Sequence, residues 1–167
     1  MNHGKGKDGL RITIDRPMRP IFPTRKELIE SNFHQNCFAC SSNDGMGMGL
    51  KFYKHEDGAV FGNFFADPKY EGYSGIIHGG IVATLLDSAM THCLLMKDIP
   101  ALTGRLSVKY SIPIRTGTVV KLEARIVDQL HGMFILQGKA LVDGKRMASA
   151  EAKYRSMKRR VHHEAKK

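Results

Sequence analysis

A chain of 167 residues suits one domain with enough interior for a real core, and 42% apolar residues excludes a protein disordered throughout. The net charge of +10 sits at the ends, with +5 over residues 1–26 and +6 over residues 153–167, leaving −1 for residues 27–152. That distribution argues against a nucleic-acid surface built into the body and reads as two solvated basic tails.

The opening MNHGKGKDGLRITIDRP has no apolar central run, so a cytoplasmic protein without a secretory signal is expected. In TRKELIESNF, residues 24–33, Thr24 precedes Glu27 by three positions, the capping-box pattern that starts a short helix. We therefore divide the chain into a basic N-terminal segment, 1–23, one domain, 24–156, and a basic C-terminal tail, 157–167. Next comes NCFAC, in which Cys37 and Cys40 form a CxxC pair with His34 three residues before it. Zinc needs a fourth ligand and the chain has no second CxxC, so the pair reads as tight-turn packing and no metal is expected. With Cys93 the thiols number three, which makes no disulfide framework. The glycine-rich SSNDGMGMG follows, and GLKFYKHEDGAVFGNFFAD then predicts two strands joined at Asp57-Gly58, a dipeptide that tolerates the positive φ of a tight turn.

The eighteen residues from Gly79 to Met96 are mostly Ile, Val, Leu, Ala and Met, and Asp87 is the only formally charged side chain among them. A membrane span is disfavoured, since an aspartate alone adds roughly 3 kcal/mol at mid-membrane and Thr84, Ser88, Thr91 and His92 add more. Val82, Leu85, Leu86, Ala89, Met90, Cys93 and Leu94 recur at steps of three and four, which is helical spacing. A helix apolar nearly all round is a buried one, so Asp87 needs either a hydrogen-bonding partner or a chemical task.

After the helix, RLSVKYSI alternates, with Leu106, Val108, Tyr110 and Ile112 on one face and Arg105, Ser107, Lys109 and Ser111 on the other. VVKLEARIVD alternates through Val120, Leu122, Ala124 and Ile126, and a turn at His131-Gly132 leads to MFILQGKALV. A second Asp-Gly turn, Asp143-Gly144, opens KRMASAEAKYRSM, where Ala148, Ala150, Ala152 and Tyr154 share a face. These four stretches predict a four-strand meander. One helix with this much apolar surface fits a curved antiparallel sheet wrapped around it, an α+β hot-dog arrangement. Pairing two copies edge to edge would cover the free edge and the rest of the helix, so a homo-oligomer is expected, a dimer or a tetramer.

GIIHGGIVATLLD, followed by a strand starting near Thr103 and by SVKYSIP, resembles the hot-dog acyl-CoA thioesterases of the phenylacetate-degradation type over residues 45–154. The most specific part is HGG with an Asp nine residues after the His, here His78, Gly79, Gly80 and Asp87. The resemblance implies an acyl-CoA substrate and a site completed by the neighbouring subunit. It gives Asp87 the role of general base or nucleophile, Gly79 that of the amide polarising the thioester carbonyl, and Thr103, seven residues before Tyr110, that of holding the attacking water. Relatives often carry Asn or Gln shortly before HGG, where this chain has Glu71. No cofactor is implied.

The residue types suit that chemistry. Hydrolysing a thioester builds negative charge on the carbonyl oxygen, and a helix N-terminus offers unpaired amides and a positive dipole end for it. Gly79 and Gly80 allow close approach, and His78 either donates a hydrogen bond or orients the turn. Arg105, Lys109 and Arg115 are candidates for the phosphates of coenzyme A. Two other classes stay open: a hydratase or dehydratase acting on enoyl or hydroxyacyl thioesters, and a non-catalytic acyl-CoA-binding module.

Overall fold

Alternating strands need a layer to pack on, and in the computed structural model of this chain that layer is one helix. The structure describes His34, residues 36–41 and residues 47–157. The short helix expected over 24–33 and the two basic tails, Met157 aside, lie outside the described residues, as does the middle of the glycine-rich loop. Strands β1 (Phe52–Lys54) and β2 (Val60–Phe65) form the expected hairpin, with Gly58 at φ +82°. Asp57 Oδ1 accepts from the Ala59 amide at 2.9 Å, which holds that turn closed. Two short strands that the sequence does not announce, β3 (Glu71–Tyr73) and β4 (Ile76–Ile77), pair and lead into helix α1 (Gly79–Leu95). Strands β5 (Ala101–Tyr110), β6 (Val119–Leu130), β7 (Met133–Val142) and β8 (Lys145–Ser156) follow. His131 and Gly132 both have positive φ, as do Asp143 and Gly144, the geometry of two-residue hairpins.

The main sheet is antiparallel with the order β1-β2-β6-β7-β8-β5. Here the meander expectation is corrected: only β6, β7 and β8 are consecutive neighbours, and β5 lies at the far edge beside β8. The reason is that β6, with Val120 and Leu122 fully buried, is paired on both sides, to β2 and to β7. No side is left for β5.

The sheet curls over α1, whose Val82, Leu85, Leu86, Ala89, Met90, Cys93 and Leu94 are buried against it. Small residues on the facing strands set how close the helix comes. Ala148, Ala150 and Ala152 line β8, and a Cβ added at Gly138 would stand 3.4 Å from both Leu86 Cδ2 and Met90 Cγ. Yet the helix is less buried than its composition predicts, because Thr84, Asp87 and Thr91 form a half-exposed stripe along one flank. Among the described residues no helix is long and apolar enough to cross a membrane.

Gly138→Val tests the helix–sheet approach. Its methyl groups have no room beneath Leu86 and Met90, so stability should fall by about 1–3 kcal/mol, the usual cost of overpacking, read as a lower urea midpoint with an unchanged slope.

Candidate functional site

The chain enters α1 through a tightly tied turn. Ile77 N–H donates to Ile114 O and His78 N–H to Tyr70 O, both at 2.9 Å. His78 is the N-cap: its carbonyl accepts from Ile81 and Val82, and its Nδ1 accepts from the Gly80 amide at 2.9 Å. An imidazole whose Nδ1 accepts carries its proton on Nε2, so His78 orients the turn.

The two glycines of the turn have different reasons to be glycine. A Cβ at Gly80 would sit 3.0 Å from His78 Nδ1, so a side chain there would crowd the capping imidazole. At Gly79 the nearest atoms to an added Cβ belong to the Tyr110 ring, 3.7 Å away or more, which is ordinary contact. The φ of Gly79 is not positive either, so nothing in this chain demands glycine at that position. Tyr110 Oη donates to the Gly79 carbonyl at 2.9 Å, while the Gly79 N–H meets no acceptor among the described residues. It is one of the orphan donors at a positive helix end, open to an oxygen from outside.

Asp87 lies two turns further along. Its Oδ1 accepts from Tyr154 Oη at 2.7 Å and from Thr103 Oγ1 at 2.9 Å; no donor among the described residues reaches Oδ2. Tyr154 is 1% exposed, and burial first, then the Asp87 charge, push its hydroxyl well above the usual phenol range. It therefore remains a donor, with Thr91 Oγ1 3.2 Å behind it. A carboxylate fixed through one oxygen and open at the other is a group positioned to receive a proton.

Thr103 reaches Asp87 through a fault in the strand. In β5 the residues paired with the inward positions of β8 are Tyr110, Val108 and Leu106, all even, and then Thr103 opposite Tyr154. A bulge between Thr103 and Arg105 changes the parity, and the extra residue is Gly104. Were Gly104 instead paired regularly opposite Tyr154, Thr103 would point away from the helix.

The structure thus gathers the expected residues into two groups. His78, Gly79 and Gly80 form one, with Gly72 packed against His78, where an added Cβ would stand 2.9 Å from the ring. Glu71 is exposed in β3 opposite Ile77, and exposed Arg115 bridges the backbone of Ile76, so both flank this turn. Asp87 and Thr103 form the other group, with exposed Arg105 just past the bulge. Eight residues of helix place Gly79 and Asp87 about 12 Å apart along the axis, too far to act on one carbonyl within a chain. Lys109 lines a different feature, an open concavity of about 610 Å³ on the solvent face of the sheet that includes none of Gly79, Asp87, Thr103 or Tyr154. Tyr154 is the residue the sequence reading passed over. A buried tyrosine hydroxyl needs a partner, and that was the available signal.

Residues 74–130 match the thioesterase superfamily model. The chain is 29% identical over 114 residues to acyl-coenzyme A thioesterase THEM4 of Xenopus laevis, a match covering 68% of this chain and 47% of that protein. A shorter match, 34% identical over 56 residues, joins 34% of this chain to 38% of the 3-hydroxyacyl-[acyl-carrier-protein] dehydratase FabZ of Syntrophotalea carbinolica. The chain thus spans less than half the length of these two curated relatives. In fold it is similar to smu.793 from Streptococcus mutans UA159 bound to acetyl CoA, with a TM-score of 0.61 at 20% identity over 66% of this chain and 90% of that one. It is also similar to the E. coli PaaI protein from the phenylacetic acid degradation operon, with a TM-score of 0.61 at 15% identity over 65% and 83%. The hot-dog arrangement is the fold these structures share with it.

Replacing Tyr154 by Phe removes the shorter of the two bonds to Oδ1 and should cost about 1–2 kcal/mol, as loss of a buried hydrogen bond to a charged group does. Thr103→Val, at a more exposed bond, should cost less. Calorimetric melting of the two variants beside the parent checks the order.

Proposed function

We propose that this chain, a hot-dog protein of the thioesterase superfamily, hydrolyses an acyl-CoA thioester to the free acid and coenzyme A at sites shared between two protomers. What carries this reading is Asp87, held by Tyr154 and Thr103 through Oδ1 with Oδ2 left open, beside a stripe of α1 that its own sheet does not cover. The carbonyl-binding amide has to come from a second copy, because Gly79 of the same helix is about 12 Å away.

In the mechanism, Oδ2 takes a proton from a water that also donates to Thr103 Oγ1, and the resulting hydroxide attacks the thioester carbon. Charge moves to the carbonyl oxygen, where the partner's Gly79 amide and its helix dipole receive it. Collapse breaks the C–S bond, and the departing thiolate takes the proton that Asp87 holds. Removing one such donor from an oxyanion site typically costs a hundredfold or more, so the absence of a side chain at Gly79, unexplained by its own chain, has a use here. Direct attack by Oδ2 to give an anhydride is the competing course, distinguished by whether ¹⁸O from solvent enters Asp87 in a single turnover.

Two features support the dimer. Strand β5 is an open edge ten residues long with Leu102 and Tyr110 exposed along it, the kind of edge that pairs with its own copy. The half-exposed stripe of α1 is the second. Arg105 and Arg115 flank the two half-sites and are suited to the phosphates of coenzyme A, the ligand class present in smu.793. Three free thiols fit a cytoplasmic place of action.

The match to FabZ favours a second reading, dehydration of a hydroxyacyl thioester. Against it, His78 spends its Nδ1 lone pair on the Gly80 amide and has only an N–H to offer, so it cannot serve as the base such a reaction needs. Hydration of crotonyl-CoA separates the two, and tight acyl-CoA binding without turnover would favour a binding module.

Asp87→Asn should leave folding intact, or improve it, while cutting acyl-CoA hydrolysis by roughly a hundredfold or more; near-normal turnover would remove Asp87 from the mechanism. The shared site has its own test. Co-refolding Asp87→Asn with Gly79→Val makes about half the dimers mixed, and each carries one native site, so roughly a quarter of the sites should work. Mixed dimers confirmed by mass spectrometry but without regained activity would place each site within one chain.

A further inference from the structure

The His34, Cys37 and Cys40 stretch has no part in the site above, and the fold gives it a neighbour that the sequence does not announce. Cys37 N–H donates to His34 O, and Cys40 N–H to Cys37 O, so the segment winds in successive three-residue turns. Residues three apart eclipse in such turns, which puts the imidazole and both thiols on one side. Their ligand atoms all lie within 4.8 Å of one another. The side they share faces α1, where His92 Nε2 lies 3.9 Å from Cys40 Sγ, across 52 residues of sequence.

We propose that His34, Cys37, Cys40 and His92 bind one zinc ion as a structural Cys₂His₂ site. The fourth ligand that the CxxC pair lacks in sequence is supplied by the helix. Sulfur and nitrogen ligands at about 2.3 and 2.0–2.1 Å on a tetrahedral zinc stand roughly 3.6 Å apart; Cys40 Sγ and His92 Nε2 are already near that spacing, and His92 has to close on His34 and Cys37 to complete the set. The second shell is already set. His92 Nδ1 is 2.8 Å from the Ser88 carbonyl and must donate to it, which fixes the tautomer with the Nε2 lone pair turned toward Cys40. Phe52 packs on the His92 ring with centroids 4.4 Å apart, and the His34 ring meets it edge-on at 5.1 Å. Ala39, between the two cysteines in sequence, is buried in the core, and Leu50 N–H donates to its carbonyl at 3.0 Å, so the segment is anchored apart from any ion.

The rival use of a CxxC is redox exchange. That needs a thiol open to an incoming partner, whereas both cysteines are only partly exposed and Cys40 Sγ faces the His92 imidazole. Sulfur and imidazole donors together select zinc over magnesium or calcium, and four protein ligands leave no open position for substrate. Binding displaces one proton from each thiol to solvent, so affinity falls as the pH is lowered. The ion would pin the segment ahead of β1 to the second half of α1.

The test uses the full chain, purified under reducing conditions, with metal content measured by mass spectrometry. One zinc per chain is expected. After chelation, cobalt(II) added to the reduced protein should produce thiolate charge-transfer and tetrahedral visible bands that saturate at one equivalent and are lost to added zinc. Cys40→Ser and His92→Gln should each weaken cobalt binding a hundredfold or more, whereas Cys93→Ala, next in sequence to His92, should bind normally. The melting midpoint should fall by several degrees when zinc is removed from the parent and not when Cys40→Ser is treated alike. Should Cys40→Ser not fold, the parent titration and His92→Gln decide. A folded, reduced parent that takes up well below one equivalent, or bands unchanged in His92→Gln, would overturn the site.

Discussion

Everything in this protein hangs on how closely one helix lies against one sheet. Gly138 and the alanines of β8 let α1 settle within contact of the strands, and that distance determines which side chains meet across the gap. At the middle of the helix it brings Asp87 to Tyr154 and Thr103. Toward its end it brings His92 to Cys40 and Phe52. A helix one ångström further out would leave Oδ1 without its donors, and a half-buried carboxylate without them is a liability.

The same packing accounts for an apparent inconsistency. The composition of α1 calls for burial on nearly all sides, yet Thr84, Asp87 and Thr91 are only half covered. A single curled sheet cannot enclose a cylinder, so among the described residues one flank of the helix stays open. The polar residues lie on that flank, and the tyrosine that steadies the carboxylate lies on the closed side. The hydrogen-bonded and the open oxygen of one carboxylate thus lie toward the covered and the uncovered side.

Much of this was legible in the sequence because it is local. Alternation marked the strands, Asp-Gly and His-Gly marked the turns, and the run of apolar residues after HGG marked the helix almost to the residue. What was not legible depends on pairing over long distances. The edge position of β5 follows from β6 being occupied on both sides, which no window of sequence reveals. The strict alternation of RLSVKYSI, carried back by two residues, puts Thr103 on the wrong face, and only resemblance to a family pointed to it. Tyr154 was read as core, and its hydroxyl end meets a half-exposed carboxylate. His92 was one more residue on an apolar helix, 52 positions from the cysteine it approaches.

The bulge at Gly104 divides β5 into two parts that answer to different demands. From Arg105 onward the strand is framework, with Leu106 and Val108 half-buried on the helix side. Ahead of the bulge, the same strand turns Thr103 toward Asp87 with the opposite phase. Were the bulge to dissolve, with Gly104 pairing regularly opposite Tyr154, the framework from Arg105 onward would keep its pairing while Thr103 turned out. A chain one residue shorter here, without the bulge, would hold Thr103 in the same phase, so what the bulge sets is which residue of a given sequence faces the helix. Residue identity alone does not reveal that choice, because it lies in the pairing register.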